Sequence, residues 1–187
     1  MKAKKLAAVS ILAASSMAGN AQAGAILTGD TKLACEAIIC LSTGQRPTEC
    51  MPSLSRYFSI SYKKWKDTLK GRISFLNLCP AVAMDTKMST LVNDIANGAG
   101  RCDAASINAS SMVWDYDTGT SYIANKQPTY CKTYNSNSYT DLIATGPKYV
   151  GEPDEGGYWV DAADYDKAKA EYDLAHPAVV AKKKPWK

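Results

Sequence analysis

LACEAIICLSTGQRPTECMPSLSRYFSI occupies residues 33–60, and ISFLNLCP follows at 73–80. Together they hold Cys35, Cys40, Cys50 and Cys79, four of the six cysteines. Each of the four sits in an apolar helical run or beside one. The pattern predicts short amphipathic helices clipped together by disulfides. Asp30 to Leu41 reads as the first helix. Asp30 serves as its N-cap, because a carboxylate there takes the free amide protons of the first turn. Leu33, Ala34, Ala37, Ile38 and Leu41 recur at steps of three and four and form the buried stripe. Gly44 is expected to close this helix in the left-handed conformation, and Pro47 to prevent its continuation. Arg46 to Pro52 reads as a loop that carries Cys50.

Downstream, Leu54, Tyr57 and Phe58 form a short apolar face. Tyr62, Trp65, Leu69, Ile73 and Leu76 then extend a second one at helical spacing. Lys63, Lys64, Lys66, Lys70 and Arg72 make the opposite, basic face, and Pro80 ends the run. Asp85 to Asn97 reads as a further helix, capped by Asp85 and turned inward through Met88, Leu91, Val92 and Ile95. The later sequence is richer in tyrosine, with nine of the eleven in Asp103–Lys187. It shows two hairpin patterns. One is Val113–Ile123, with Asp117-Thr118-Gly119 at the turn. The other is Lys148–Val160, with Pro153 to Gly157 in its loop. Asp161–Ala175 completes the pattern as a helix with a stripe of Tyr165, Ala168, Tyr172 and Ala175.

The fold class expected is mainly α: a small disulfide-stapled helical domain with a C-terminal extension of short β-hairpins and one helix. The boundaries are 1–23 for a signal peptide, 24–105 for the helical domain, 106–176 for the Tyr-rich extension and 177–187 for a basic disordered tail. The first segment has a basic start (Lys2, Lys4, Lys5), a short apolar run and a small-residue site at Ala21-Gln22-Ala23. It is read as a secretory signal cleaved after Ala23, which places the mature chain in the periplasm. Its apolar run is too short to span a bilayer, and no transmembrane segment is expected after cleavage.

Charge narrows the function classes. The 22 basic and 18 acidic residues give +4. Removing three leader lysines leaves 19 against 18, or +1, so a non-specific nucleic-acid binder is not expected. Gly24–Cys102 carries ten basic and six acidic side chains, and Asp103–Lys187 nine and twelve, so the halves are +4 and −3. In an exported chain, six cysteines predict three disulfides. Sequence leaves all fifteen pairings open, and turn geometry favours Cys40–Cys50. Cys35 then has Cys79 at the end of the second helical region, and Cys102 and Cys131 remain. Neither a metal nor another cofactor is expected: the spacing Cys35-x4-Cys40 is not a zinc pattern, and the only histidine, His176, is distant.

LTGDTKLACEAIICLSTGQRPTECMPSLSRYFSI, FLNLCP at 75–80 and NDIANGAGRCDAA at 93–105 resemble the TrbM/KikA/MpfK family of plasmid conjugal-transfer proteins. YVGEPDEGGYWV at 149–160 is similar to a C-terminal piece of the same family. The resemblance implies an exported accessory protein of the mating-pair-formation machinery, a type IV secretion system, with the other components of that machinery as partners. It carries no catalytic residues.

The residues themselves leave competing readings. Glu36, on the first helix, is a candidate general acid for cleaving peptidoglycan. Against it stands the plain alternative of a surface glutamate paired with Lys32 or Arg46, so no enzyme is expected. A serine hydrolase fails on the position of His176. A secreted inhibitor or toxin-like binding protein is a third class. Lys63, Lys64, Lys66 and Lys70 are candidates for touching an acidic partner, anionic lipid or peptidoglycan, with an ordinary solvated face as the alternative. Tyr149, Tyr158 and Trp159 are candidates for partner binding, with packing on the helical core equally open.

Overall fold

The structure is a computed structural model, and it describes residues 27–178. The expected signal peptide and most of the expected tail lie outside the described residues. Nine α-helices and two small antiparallel sheets are found among the described residues.

Helix α1 (Gly29–Leu41) buries Ala34, Ala37, Ile38, Cys40 and Leu41. That is the face the spacing predicts. Two of its expected ends differ. Thr28 occupies the N-cap position, and Asp30 lies in the first turn. The Asp30 carboxylate accepts hydrogen bonds from Arg56 Nε at 3.0 Å and Nη2 at 2.7 Å. A two-pronged guanidinium contact outcompetes a single backbone amide. It also holds the Asp30 carboxyl below its ordinary range. Gly44 is not among the left-handed glycines. What requires glycine there is a close approach: a Cβ would stand 2.5 Å from Thr145 Oγ1. The Gly44 amide donates to that oxygen at 3.0 Å and to Asp141 Oδ1 at 3.2 Å.

The expected loop before α2 (Met51–Ser59) contains a turn of 3-10 helix, Thr48–Cys50, and Pro52 lies in the first turn of α2. Helix α3 (Trp65–Leu76) begins three residues later than Tyr62. Its buried face is Thr68, Arg72, Phe75 and Leu76. Arg72 is therefore a core residue, and the basic face lacks it. Pro80 opens the short helix α4 (Pro80–Met84) rather than only closing α3. Its fixed φ and missing N–H suit a first helical position. In α5 (Thr86–Gly98), Asp85 caps as expected, accepting from the Lys87 amide at 2.8 Å.

The second half adds α6 (Ala104–Ser110), then the hairpin of β1 (Met112–Asp115) and β2 (Thr120–Ile123), in register Val113 with Tyr122. Helices α7 (Thr129–Asn135) and α8 (Leu142–Thr145) follow. The second hairpin pairs β3 (Lys148–Val150) with β4 (Tyr158–Val160), Tyr149 opposite Trp159. A turn of 3-10 helix, Ala162–Asp164, leads into α9 (Tyr165–Ala175). Ala175 falls off the expected stripe into solvent.

The bridges are Cys35–Cys79, Cys40–Cys50 and Cys102–Cys131, the pairing favoured above. They tie α1 to the start of α4, α1 to the turn before α2, and the connection between α5 and α6 to α7. One buried cluster runs from Ala34 through Tyr57, Leu76 and Ile95 to Cys131, Tyr134, Leu142 and Trp159. The C-terminal half thus packs on the helical half. Val150, Ala168 and Tyr172 form a smaller cluster under α9.

Gly98 sets the contact of α5 with α7. A Cβ there would lie 2.4 Å from Tyr134 Cδ1 and 2.7 Å from Tyr134 Cβ. The obstruction includes the root of the tyrosine side chain, which cannot swing aside, and the ring is pinned by its hydroxyl donating to the Leu41 carbonyl. Gly98→Ala is expected to lower stability by about 1–3 kcal/mol through overpacking. Urea unfolding would measure it.

Candidate interaction surface

The connection from Ile60 to Lys64 bends the chain between α2 and α3, and residues of α3 fix the bend. The Tyr62 amide donates to Thr68 Oγ1 at 2.8 Å, and that hydroxyl donates back to the Tyr62 carbonyl at 3.3 Å. The Tyr62 ring lies over Gly71, where a Cβ would stand 2.9 Å from its Cε2. Arg72 Nε donates to the Ile60 carbonyl at 3.2 Å. The Arg72 guanidinium lies 4.8 Å from the Tyr57 ring, 5.3 Å from Phe58 and 5.8 Å from Trp65. Arg101 stands 4.6 Å from the other neighbour in this series, Trp65, and 3.9 Å from Tyr130. Cations and ring faces thus form one contiguous array, each contact attractive through the ring quadrupole. Burial pushes the Tyr57 phenol up to about 12 against the pull of Arg72. Its hydroxyl stays neutral and donates to the Ile95 carbonyl at 3.3 Å.

The outer rings of this array are half in solvent: Phe58 is 38% exposed, Trp65 40% and Tyr62 59%. Lys63, Lys64, Lys66 and Lys70, adjoining Tyr62 and Trp65 in the sequence, stand exposed. None of the four makes an ion pair among the described residues. Asp67 is the only carboxylate in 61–71. The structure leaves the four sequence-predicted lysines exposed, Lys63 and Lys64 on the bend and Lys66 and Lys70 on α3.

The other candidates are placed differently. Trp159 is buried: its Nε1 donates to the Ala124 carbonyl at 3.0 Å, and Asn108 brackets its backbone with two 2.8 Å hydrogen bonds. Tyr149 packs edge-on against it, centroids 5.3 Å apart, and donates to the Ile123 carbonyl at 2.6 Å. Tyr158 is half-buried against the α9 cluster. Burial removes Trp159 from any surface. Glu36 Oε1 lies 3.6 Å from Lys32 Nζ on the outside of α1. His176 stacks on Tyr172, ring centroids 4.1 Å apart. Among the described residues, no group of three or more His, Cys, Asp or Glu is placed to hold a metal ion.

Two features escape sequence reasoning. The arginine–aromatic array has no local signature, because Trp65, Arg101 and Tyr130 meet only in the fold. The exposed Met112, Val113, Trp114 and Tyr116 on the first hairpin look like an ordinary strand pattern in sequence.

A family model described as TrbM matches residues 26–173. The chain belongs to the TrbM family of conjugal transfer proteins. No curated protein and no solved structure matches it. The TrbM match takes in both halves of the described fold, including all six bridged cysteines, the α2–α3 bend and the hairpin that carries Trp159. Among the described residues of this TrbM-family chain, no helix is long and apolar enough to cross a membrane.

Proposed function

We propose that this TrbM-family protein is a periplasmic, non-enzymatic accessory or assembly component of the mating-pair-formation apparatus, a conjugative type IV secretion system. The observation that carries the reading is the family match over residues 26–173. Two further features support it. Three disulfides suit an oxidising compartment, and the leader pattern before Gly24 suits export. The work is done by surface contact with other components of the machinery and with the envelope, through the α2–α3 bend.

The test is deletion of the gene from a transfer-competent plasmid, complemented by an epitope-tagged copy. Transfer frequency is expected to fall and be restored, with the tagged product in the periplasmic fraction, oxidised and beginning at Gly24. A product held in the cytosol with free thiols would overturn the reading. Glu36→Gln separates it from the peptidoglycan-cleaving alternative. An exposed helix pair contributes little, so stability is expected to change by less than about 0.5 kcal/mol. Transfer should match wild type, and the purified protein should clear no band in a cell-wall zymogram. A cleared band abolished by Glu36→Gln would make it an enzyme.

A further inference from the structure

We infer that the α2–α3 bend is a docking patch for an anionic phospholipid surface. The inference rests on the envelope location proposed above and deepens it by naming what the patch meets. Four properties of the bend carry it. First, Lys63, Lys64, Lys66 and Lys70 are exposed and form no ion pair among the described residues, with only Asp67 to offset them. Lysines held this way are attracted to anionic headgroups, and their effects add. Second, Tyr62 and Trp65 stand among those lysines with rings half in solvent. Tyrosine and tryptophan, apolar in body and polar at one edge, are the residues that settle at the headgroup level of a bilayer.

Third, the bend that carries the rings is tied to α3. Thr68 holds the Tyr62 backbone amide and carbonyl, and the Arg72 and Arg101 guanidiniums lie 5.8 and 4.6 Å from the Trp65 ring. Fourth, among the described residues, two clefts are lined by other residues than Tyr62, Trp65 and the four lysines. A patch with cations and amphipathic rings interleaved along residues 62–70 is matched to a broad anionic surface.

The test is flotation of the purified mature protein with vesicles. One set is pure phosphatidylcholine, and the other contains roughly 30 mol % phosphatidylglycerol. Binding to the anionic set is expected to exceed binding to the neutral set by at least about tenfold and to collapse in about 0.5 M NaCl. Two variants with equal net charge are then compared. One carries Lys63→Glu, Lys64→Glu, Lys66→Glu and Lys70→Glu. The other carries the same change at Lys87, Lys126, Lys132 and Lys167, all exposed elsewhere. The first is expected to bind at least about tenfold more weakly than the second. Tyr62→Ser, which leaves Arg72 and Trp65 in place, should weaken binding by about threefold with little change in salt dependence. Equal binding to both vesicle sets, or equal loss in the two charge variants, overturns the inference and leaves an acidic protein as the partner of this face. Undiminished plasmid transfer without the gene would overturn the proposed function and not touch the vesicle result.

Discussion

Replacing Cys35 and Cys79 together with alanine is expected to lower the stability of the oxidised protein by about 2–5 kcal/mol, the largest effect of any single bridge. The bond spans 44 residues, against 10 for Cys40–Cys50 and 29 for Cys102–Cys131. Closing a longer loop removes more conformations from the unfolded chain. The loop-entropy relation gives about 4 kcal/mol for the longest span, about 3.6 for the middle one and about 2.7 for the shortest. Location strengthens the ranking. Cys35 lies on α1, and Cys79 is the N-cap residue of α4. Their bond therefore encloses α2, α3 and the whole bend, whereas Cys40–Cys50 encloses one turn. Urea unfolding of the three double variants measures the order directly. A Cys40/Cys50 variant that loses as much as the Cys35/Cys79 variant would show that native packing, rather than chain restriction, sets the contribution of these bonds.

Much of this architecture is legible in sequence because local chemistry dictates it. Asp85 caps α5 since a carboxylate at that position meets free amides. Asp117-Thr118-Gly119 turns the first hairpin since Gly119 adopts a positive φ of 67°. Of the cysteine pairing, only Cys40–Cys50 has a local signal, the turn between the two; Cys35–Cys79 and Cys102–Cys131 are set by how the helices pack. The phase of α3 is legible only in part. The apolar spacing selects Tyr62, Trp65, Leu69, Ile73 and Leu76; Leu76 is buried and Ile73 packs on the core, but Thr68 and Arg72 are buried where Tyr62 and Trp65 stand exposed. An arginine that finds three aromatic faces and a carbonyl is a core residue invisible to hydrophobic periodicity. Helices α6, α7 and α8 have seven, seven and four residues. That is two turns at most, too few for a 3.6-residue period to declare itself. The lysines of the bend are legible as a charged group. The packing of Trp65 is not, because it depends on Arg101, which arrives from another part of the chain.

Trp159→Ala is expected to cost about 3–5 kcal/mol and to loosen both halves of the molecule together. Trp159 is 7% exposed and belongs to the same buried cluster as α1 and α5. Its ring packs on Tyr149, and its Nε1 proton is satisfied by Ala124 at the end of the first hairpin. Asn108, on α6, takes the Trp159 amide and returns a hydrogen bond to its carbonyl. One side chain thus joins β4, α6, the first hairpin and the helical core. Truncation removes the ring from that core, opens a cavity and leaves the Ala124 carbonyl without its donor. Trp159→Phe isolates the last effect. It keeps most of the apolar volume and should cost less, about 1–3 kcal/mol, chiefly for the unpaired carbonyl. Unfolding should be followed by far-ultraviolet circular dichroism, which reports the helices, and by near-ultraviolet signals from the tyrosine-rich half. Coincident transitions, shifted together in Trp159→Ala, are the expected result, because one core cannot lose its shared member on one side only. If the near-ultraviolet transition moved to lower urea while the helical transition stayed at its wild-type midpoint, the C-terminal half would be a separately folding unit resting on the helices, and Trp159 would belong to it alone.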